Sequence, residues 1–307
     1  RRRDRNIPRR AAISAFGFGG INAHVLLEEW DESFPQAKAR AKVSKPEATQ
    51  KSDDIAIVGM DACFGPWQSL QAFQNRVLGG VDNSEPEQLN NSWGVDNNIK
   101  GYTVDKVDIP VGRFRIPPNE LKDMLPQQLL MLQVAANAID DAGIKEEKRA
   151  ELKSAGVYIG IGLDMNTSNF HLRWCLLPMA RQWAKQLGLE LTEAQLQAWV
   201  SELRDVSGPA MNANRTMGAL GGIVASRIAR AFDIGGPSFT LSSEESSGLR
   251  SLEAGVRALQ RGEINTAVVG AVDLASDIRS VAGLGEVISD DFIIGEGAAA
   301  LILKRYD

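Results

Sequence analysis

Four short runs of mostly apolar residues, at 55–60, 156–162, 266–272 and 297–303, with a further short strand at 237–241, constrain this chain more than any other feature. They are rich in β-branched residues and lack the polar alternation of a half-solvated strand. Runs of this kind read as strands buried on both faces. Helical patterns separate them. Residues 127–142 place Leu129, Leu132, Ala136 and Ile139 on one face, with Gly143 as a stop. Residues 170–205 read as amphipathic helices in which Trp174, Trp183 and Trp199 recur at helical spacing, a pattern of core or interface. Residues 211–232 read as one helix whose Gly218, Gly221, Gly222 and Ala225 allow close packing. A last helix over 245–261 aligns Leu249, Leu252, Val256 and Leu259. The stretch from the first run to about Pro118, rich in Asn, Gly, Pro and Asp, reads as irregular. Strands alternating with helices predict an α/β sheet covered on both sides, and no repeat of solenoid period is present.

Ahead of these runs the composition changes twice. Residues 11–30 hold a short apolar segment, the glycines Gly17, Gly19 and Gly20, and a strand-like exit at 23–27. Residues 36–53 are dominated by Lys, Ala, Ser, Pro and Glu, which is a linker composition. The first ten residues contain six arginines, read as a solvated terminus, with a phosphate-contacting arm as the alternative. The net charge of −5 gives no overall basic field for nucleic acid. Two cysteines, Cys63 and Cys175, supply neither a disulfide framework nor a zinc pattern, and a reducing, cytoplasmic compartment fits. No apolar run is long enough to span a bilayer. The start lacks a signal peptide and an initiator methionine, so the chain is read as a cut from a longer polypeptide.

The chemically informative segment is Gly-Pro-Ser-Phe-Thr-Leu-Ser-Ser-Glu-Glu-Ser-Ser-Gly-Leu at 236–249. A strand runs through small polar residues directly into a helix, the geometry of a nucleophile elbow. A side chain at such a turn meets free backbone N–H groups and the positive end of the helix dipole. A cysteine there would react as thiolate. Here the turn carries Glu244 and Glu245, which are comfortable there electrostatically but accept acyl groups poorly.

This segment resembles the active-site stretch of the β-ketoacyl synthases, Asp-Thr-Ala-Cys-Ser-Ser-Ser-Leu. Aligned on the flanking Gly-Pro-Ser-Phe-Thr and on Leu249, the cysteine position falls on Glu245, and Ser246 and Ser247 match. Four further stretches agree in order. They are Ile-Ala-Ile-Val-Gly-Met at 55–60, Pro-Gln-Gln-Leu-Leu at 126–130, Val-Val-Gly-Ala-Val at 268–272 and Gly-Glu-Gly-Ala at 295–298. The segment Phe-Gly-Phe-Gly-Gly-Ile-Asn-Ala-His at 16–24 is similar to the family's C-terminal Gly-Phe-Gly-Gly-Thr-Asn-Ala-His. The order implied is a ketosynthase tail (1–35), a linker (36–53), and the N-terminal half of a second ketosynthase-like domain (54–307). That tandem resembles a ketosynthase followed by a chain-length factor, as in bacterial polyunsaturated fatty acid synthases, with an iterative polyketide synthase as the rival parent.

The resemblance implies half of a thiolase-like fold, a five-stranded mixed sheet in α-β-α layers. It implies pairing with the preceding ketosynthase through the strand at 237–241. It also implies an acyl carrier protein that brings phosphopantetheine-bound substrate, and no cofactor of the chain's own. The family's two catalytic histidines lie beyond the Gly-Glu-Gly strand. This chain has only His24, read as satisfying backbone groups near a strand end, and His171, read as surface. The stretch between Leu274 and Gly295 is shorter than in the family. Glu245 then has three readings: a filler of the cysteine's place in a non-acylating chain-length factor, a participant in malonyl decarboxylation, or a bare helix-terminal charge. A condensing acyltransferase and a partial-gene fragment without activity of its own complete the alternatives. Phe18 aligns with the residue that helps form the oxyanion hole and gates the pocket, which would serve the preceding domain's cysteine. A glycine-rich turn that packs an aromatic is the plainer reading. Phe18 and Ser246 are the candidate substrate-binding residues. Cys63 and Cys175 read as isolated small hydrophobes.

Overall fold

The computed structural model describes residues 9–16, 22–29, 54–80, 84–89, 99–162, 164–283 and 292–306. The chain divides into two compact units, Arg1–Asp54 and Ile55–Tyr306. In the first, β1 (Arg10–Phe16) and β2 (Asn22–Glu28) form an antiparallel hairpin. Arg9 and Arg10 pair with Glu29 and Glu28 across it. His24 sits opposite Ser14, whose hydroxyl lies 3.0 Å from its Nδ1. Phe18 and the linker at 36–53 lie outside the described residues.

The second unit runs β3 (Ile55–Phe64), α1 (Leu70–Val77), β4 (Glu87–Gln88), β5 (Lys100–Tyr102), α2 (Pro118–Asp123) and α3 (Pro126–Asp141). A 3-10 segment follows, then β6 (Ala155–Ile161), α4 (Asn166–Gln186), α5 (Glu193–Ser207), α6 (Ala213–Ala219) and α7 (Val224–Phe232). The chain continues through β7 (Ser238–Leu241), α8 (Ser247–Gln260), β8 (Thr266–Leu274), α9 (Ile278–Gly283) and β9 (Ile293–Arg305). All five expected strands are present. They pair in the order β7-β6-β8-β9-β3, with β9 antiparallel to β8 and β3 and with β6 parallel to both β7 and β8. The stretch expected to be irregular contains α1 and the short strands β4 and β5, and β5 extends the sheet by pairing with the first residues of β9.

Strict alternation along the strands sends side chains to two separate cores. Val157, Ile159, Val268, Val272, Ala300 and Ile302 face α3 and α7. Tyr158, Ala267, Val269 and Leu303 face α8. Because both faces are covered, the β6 and β8 runs are mainly apolar, whereas the edge strand β7 keeps Ser238 and Thr240. Helix α3 has ten buried residues, several on each side of it, starts on Pro126 and stops at Gly143 with φ 69°.

The expected single helix over 211–232 is broken. Leu220 is extended at φ −84°, ψ 101°, and Gly218 lies against the Asp123 carbonyl, where no Cβ fits. The carbonyls of Met217, Gly218 and Leu220 are taken instead by the buried Gln128 Nε2, at 3.2, 2.7 and 3.0 Å. A buried side-chain donor thus replaces the helical hydrogen bonds that the break removes. Helices α4 and α5 form a hairpin with its own core of Leu176, Ala180, Leu196 and Val200. Trp183 and Trp199 pack there, ring centroids 6.5 Å apart, whereas Trp174 is 78% exposed and outside it.

Candidate functional site

The parallel strands β6, β7 and β8 end on one side of the sheet, where ligands bind in open α/β folds. The loops there bring together the expected elbow and four acidic residues. The elbow is held by its own serines. Ser247 Oγ donates to the Glu244 carbonyl (2.6 Å) and accepts from the Ser243 N–H (2.9 Å), while Ser246 Oγ donates to the Ser243 carbonyl (2.8 Å). Helix α8 begins at Ser247 with Ser246 as its N-cap, two residues later than expected. Glu245 therefore stands just before the helix, with its side chain exposed. Glu244 adopts φ 52°, the left-handed region, which is strained for a residue with a Cβ. Glu244→Gly is expected to relieve that strain and raise stability by up to about 1 kcal/mol, read by chemical denaturation.

Helix α8 approaches the sheet through small residues. A Cβ on Gly160 of β6 would stand 2.5 Å from the Ser247 carbonyl carbon and 2.7 Å from the Gly248 nitrogen. A Cβ on Gly255 would meet Val269 Cγ2 at 2.5 Å, and Ser251 Oγ donates to the Gly270 carbonyl at 3.0 Å. The buried stripe is thus Ser247, Ser251, Gly255, Ala258 and Leu259. Leu249, expected on the apolar face, points away and is 71% exposed.

Around the elbow, Glu296 of the Gly-Glu-Gly stretch is buried, and each of its carboxylate oxygens accepts a backbone N–H. Oε2 takes that of Val104 (2.9 Å) and Oε1 that of Ser276 (3.1 Å). Burial pushes the Asp273 carboxyl up, and the nearby charges of Glu296 and Glu245 push it further, against the pull of the Leu274 N–H. A group that holds its proton more tightly in the native state costs stability as pH rises from the ordinary carboxylate range through the raised value. Asp273→Asn is therefore expected to melt above the parent at neutral pH and together with it at acid pH, in thermal scans across that range.

On the far side, Arg279 holds the Asp277 carboxyl below the usual range, with bonds of 2.9 and 2.6 Å. Its third nitrogen reaches Ser168 Oγ (3.0 Å) and Asn169 Oδ1 (2.8 Å) at the start of α4. Asp164 is pushed up, chiefly by burial. Among the described residues no group of three or more His, Cys, Asp or Glu is arranged to hold a metal ion. No helix among them is long and apolar enough to cross a membrane.

Cys63 lies in β3 opposite Ala298, away from the elbow, and burial raises its thiol first, with Asp61 adding to it. Cys175 and His171 are neighbours on α4, 3.4 Å apart, with His171 exposed as expected. Sequence reasoning had no signal for the left-handed Glu244 or for the role of Arg279. The role of Glu296, by contrast, was within reach, because an acidic residue between two glycines at the mouth of a buried strand needs donors.

The model of the β-ketoacyl synthase N-terminal domain matches residues 52–307. The chain belongs to the β-ketoacyl synthase family. Its sheet and helices are the N-terminal half of the family's thiolase-like fold, as the resemblance implied. A polyunsaturated fatty acid synthase polypeptide from Thraustochytrium is 28% identical, covering 97% of this chain and 15% of the relative. The erythronolide synthase EryA2 of Saccharopolyspora erythraea is 27% identical over 86% of this chain and 7% of its own length. Among solved structures, the PfaC keto synthase-chain length factor is 28% identical with a TM-score of 0.74, covering 97% of this chain and 33% of that one. A ketosynthase from module 6 of the Bacillus subtilis bacillaene synthase is 26% identical with a TM-score of 0.55, covering 82% and 37%. The chain thus spans well under half the length of these relatives.

Proposed function

We propose that this chain serves as the non-acylating, chain-length-factor partner of a condensing ketosynthase, and that it belongs to a synthase of the polyunsaturated fatty acid type. One observation carries the reading: the elbow between β7 and α8 presents the carboxylate of Glu245 where the family's nucleophile belongs. A carboxylate is a weak acyl acceptor. In this reading Ser246 lines the substrate side of the elbow and Phe18 serves the preceding ketosynthase.

The span of the likenesses supports the tandem order. The family model leaves out residues 1–51, and coverage of 97% by the keto synthase-chain length factor structure is reached only by taking in residues ahead of 52. Among the described residues, strand β7 is a free edge of the sheet. Phe239 is partly exposed there beside Tyr158 (ring centroids 5.1 Å apart), and the edge offers unpaired backbone groups to a partner strand. That partner is the preceding ketosynthase. The acyl carrier protein brings phosphopantetheine-bound substrate, and the compartment is cytoplasmic.

The test is the full synthase carrying Glu245→Ala or Glu245→Cys, followed for malonyl decarboxylation and for product length. The proposal expects assembly and decarboxylation to persist in Glu245→Ala while the product-length distribution moves. Loss of decarboxylation in Glu245→Ala, with assembly intact, would make the glutamate a participant in chemistry and end the non-catalytic reading.

A further inference from the structure

The base of the α4–α5 hairpin holds a cleft of about 250 Å³, lined by Phe170, Arg173, Trp174, Arg204, Ala210 and Met211. Phe170, Trp174, Ala210 and Met211 give it apolar surface beside the two arginines, and Trp174 and Met211 are both exposed. Its two arginines are fixed by backbone carbonyls rather than by acids. Arg173 Nη1 donates to the carbonyls of Arg204 and Gly208, and Arg204 Nε donates to the Arg173 carbonyl at 3.2 Å. These bonds cross-link the two helices and set both guanidinium groups in place. Among the described residues their remaining N–H groups have no acceptor, and no carboxylate pairs with either arginine. Elsewhere arginines meet carboxylates, as Arg181 meets Glu193, Arg215 meets Asp123, and Arg227 meets Glu120.

We propose that this cleft binds a fatty carboxylate, the head group on Arg173 and Arg204 and the chain along Phe170, Trp174 and Met211. Three features select that chemistry together. Two immobilised guanidinium groups with free donors match a carboxylate, for which Arg is the suited partner. Apolar walls beside them exclude a small inorganic anion as the best occupant, because it would leave that surface wet. The volume falls just below the roughly 300–1,000 Å³ of clefts that hold drug-sized ligands, which favours a chain of medium length. The inference does not depend on the role of Glu245.

The experiment is calorimetric titration of the whole chain with octanoate, its neutral analogue octanamide, and acetate. Octanoate is expected to bind saturably at one site. Octanamide is expected at least about tenfold weaker, the ratio that one charge-assisted hydrogen bond supplies, and acetate should not saturate. Trp174→Ala, at an exposed position that does not threaten folding, is expected to weaken octanoate, and Arg204→Gln to bring octanoate and octanamide close together. The proposal is overturned if acid and amide bind alike in the parent chain, if acetate binds as well as octanoate, or if Trp174→Ala leaves octanoate affinity unchanged.

Discussion

Gly160→Ala is expected to destabilise the Ile55–Tyr306 unit by about 3 kcal/mol or more, at the upper end of what overpacking costs. The new methyl would stand 2.5–2.7 Å from the backbone of Ser247 and Gly248, and backbone at a helix start cannot swing aside as a long side chain can. The helix must lift, and lifting it also breaks the Ser247 hydroxyl's two bonds to the elbow and separates Gly255 from Val269. For a unit of this size the loss corresponds to roughly 6–12 °C in melting temperature. Gly222→Ala is the matched control, since its Cβ would meet nothing within 4 Å, and it should be neutral or stabilising by up to about 1 kcal/mol. If both variants melt alike, the close approach of α8 to β6 is not what holds the elbow.

The second large effect is expected at Glu296. Glu296→Gln turns one of two acceptor oxygens into a donor that faces an N–H, of Val104 or of Ser276, in a buried place. Losing a bond to a charged group while burying an unmatched donor costs roughly 2–3 kcal/mol. Hydrogen exchange reads it directly: one of the Val104 and Ser276 amides should lose protection while the amides of β8 keep theirs. The same change removes a negative neighbour of Asp273, whose carboxyl should move back toward the ordinary range. A Glu296→Gln protein with unchanged protection at both amides would show that the two loops are held by something else.

β6, β8 and most of β9 were legible because they are buried on both faces, which leaves an apolar run in the sequence; β3 and β7 read as strands although they keep exposed residues, Ile57, Val58 and Phe239. β4 and β5 were not, being only two and three residues long and mostly polar. The helix over 211–232 was misread for a tertiary reason. The groups that accommodate its break are the Asp123 carbonyl and the Gln128 side chain, both supplied by sequence some ninety residues earlier. The expected apolar face of α8 packs into the second core at Leu252, Val256 and Leu259, but not at Leu249; periodicity points to leucines, whereas the start of this helix seats through Ser247, Ser251 and Gly255, and at Gly255 no Cβ fits. At the site, the elbow and its glutamate were readable from the strand–turn–helix pattern. The left-handed Glu244, the two N–H groups on Glu296 and the Arg279 bolt onto α4 depend on contacts between segments far apart in sequence, which local pattern does not carry.

Intact-protein mass spectrometry after incubation with an acyl thioester tests the central claim most directly. With Glu245 at the elbow and Cys63 buried in β3, the chain should stay at its unmodified mass while an active ketosynthase in the same tube gains one acyl group. A stoichiometric acyl adduct mapped to residues 242–247 of this chain would contradict the account.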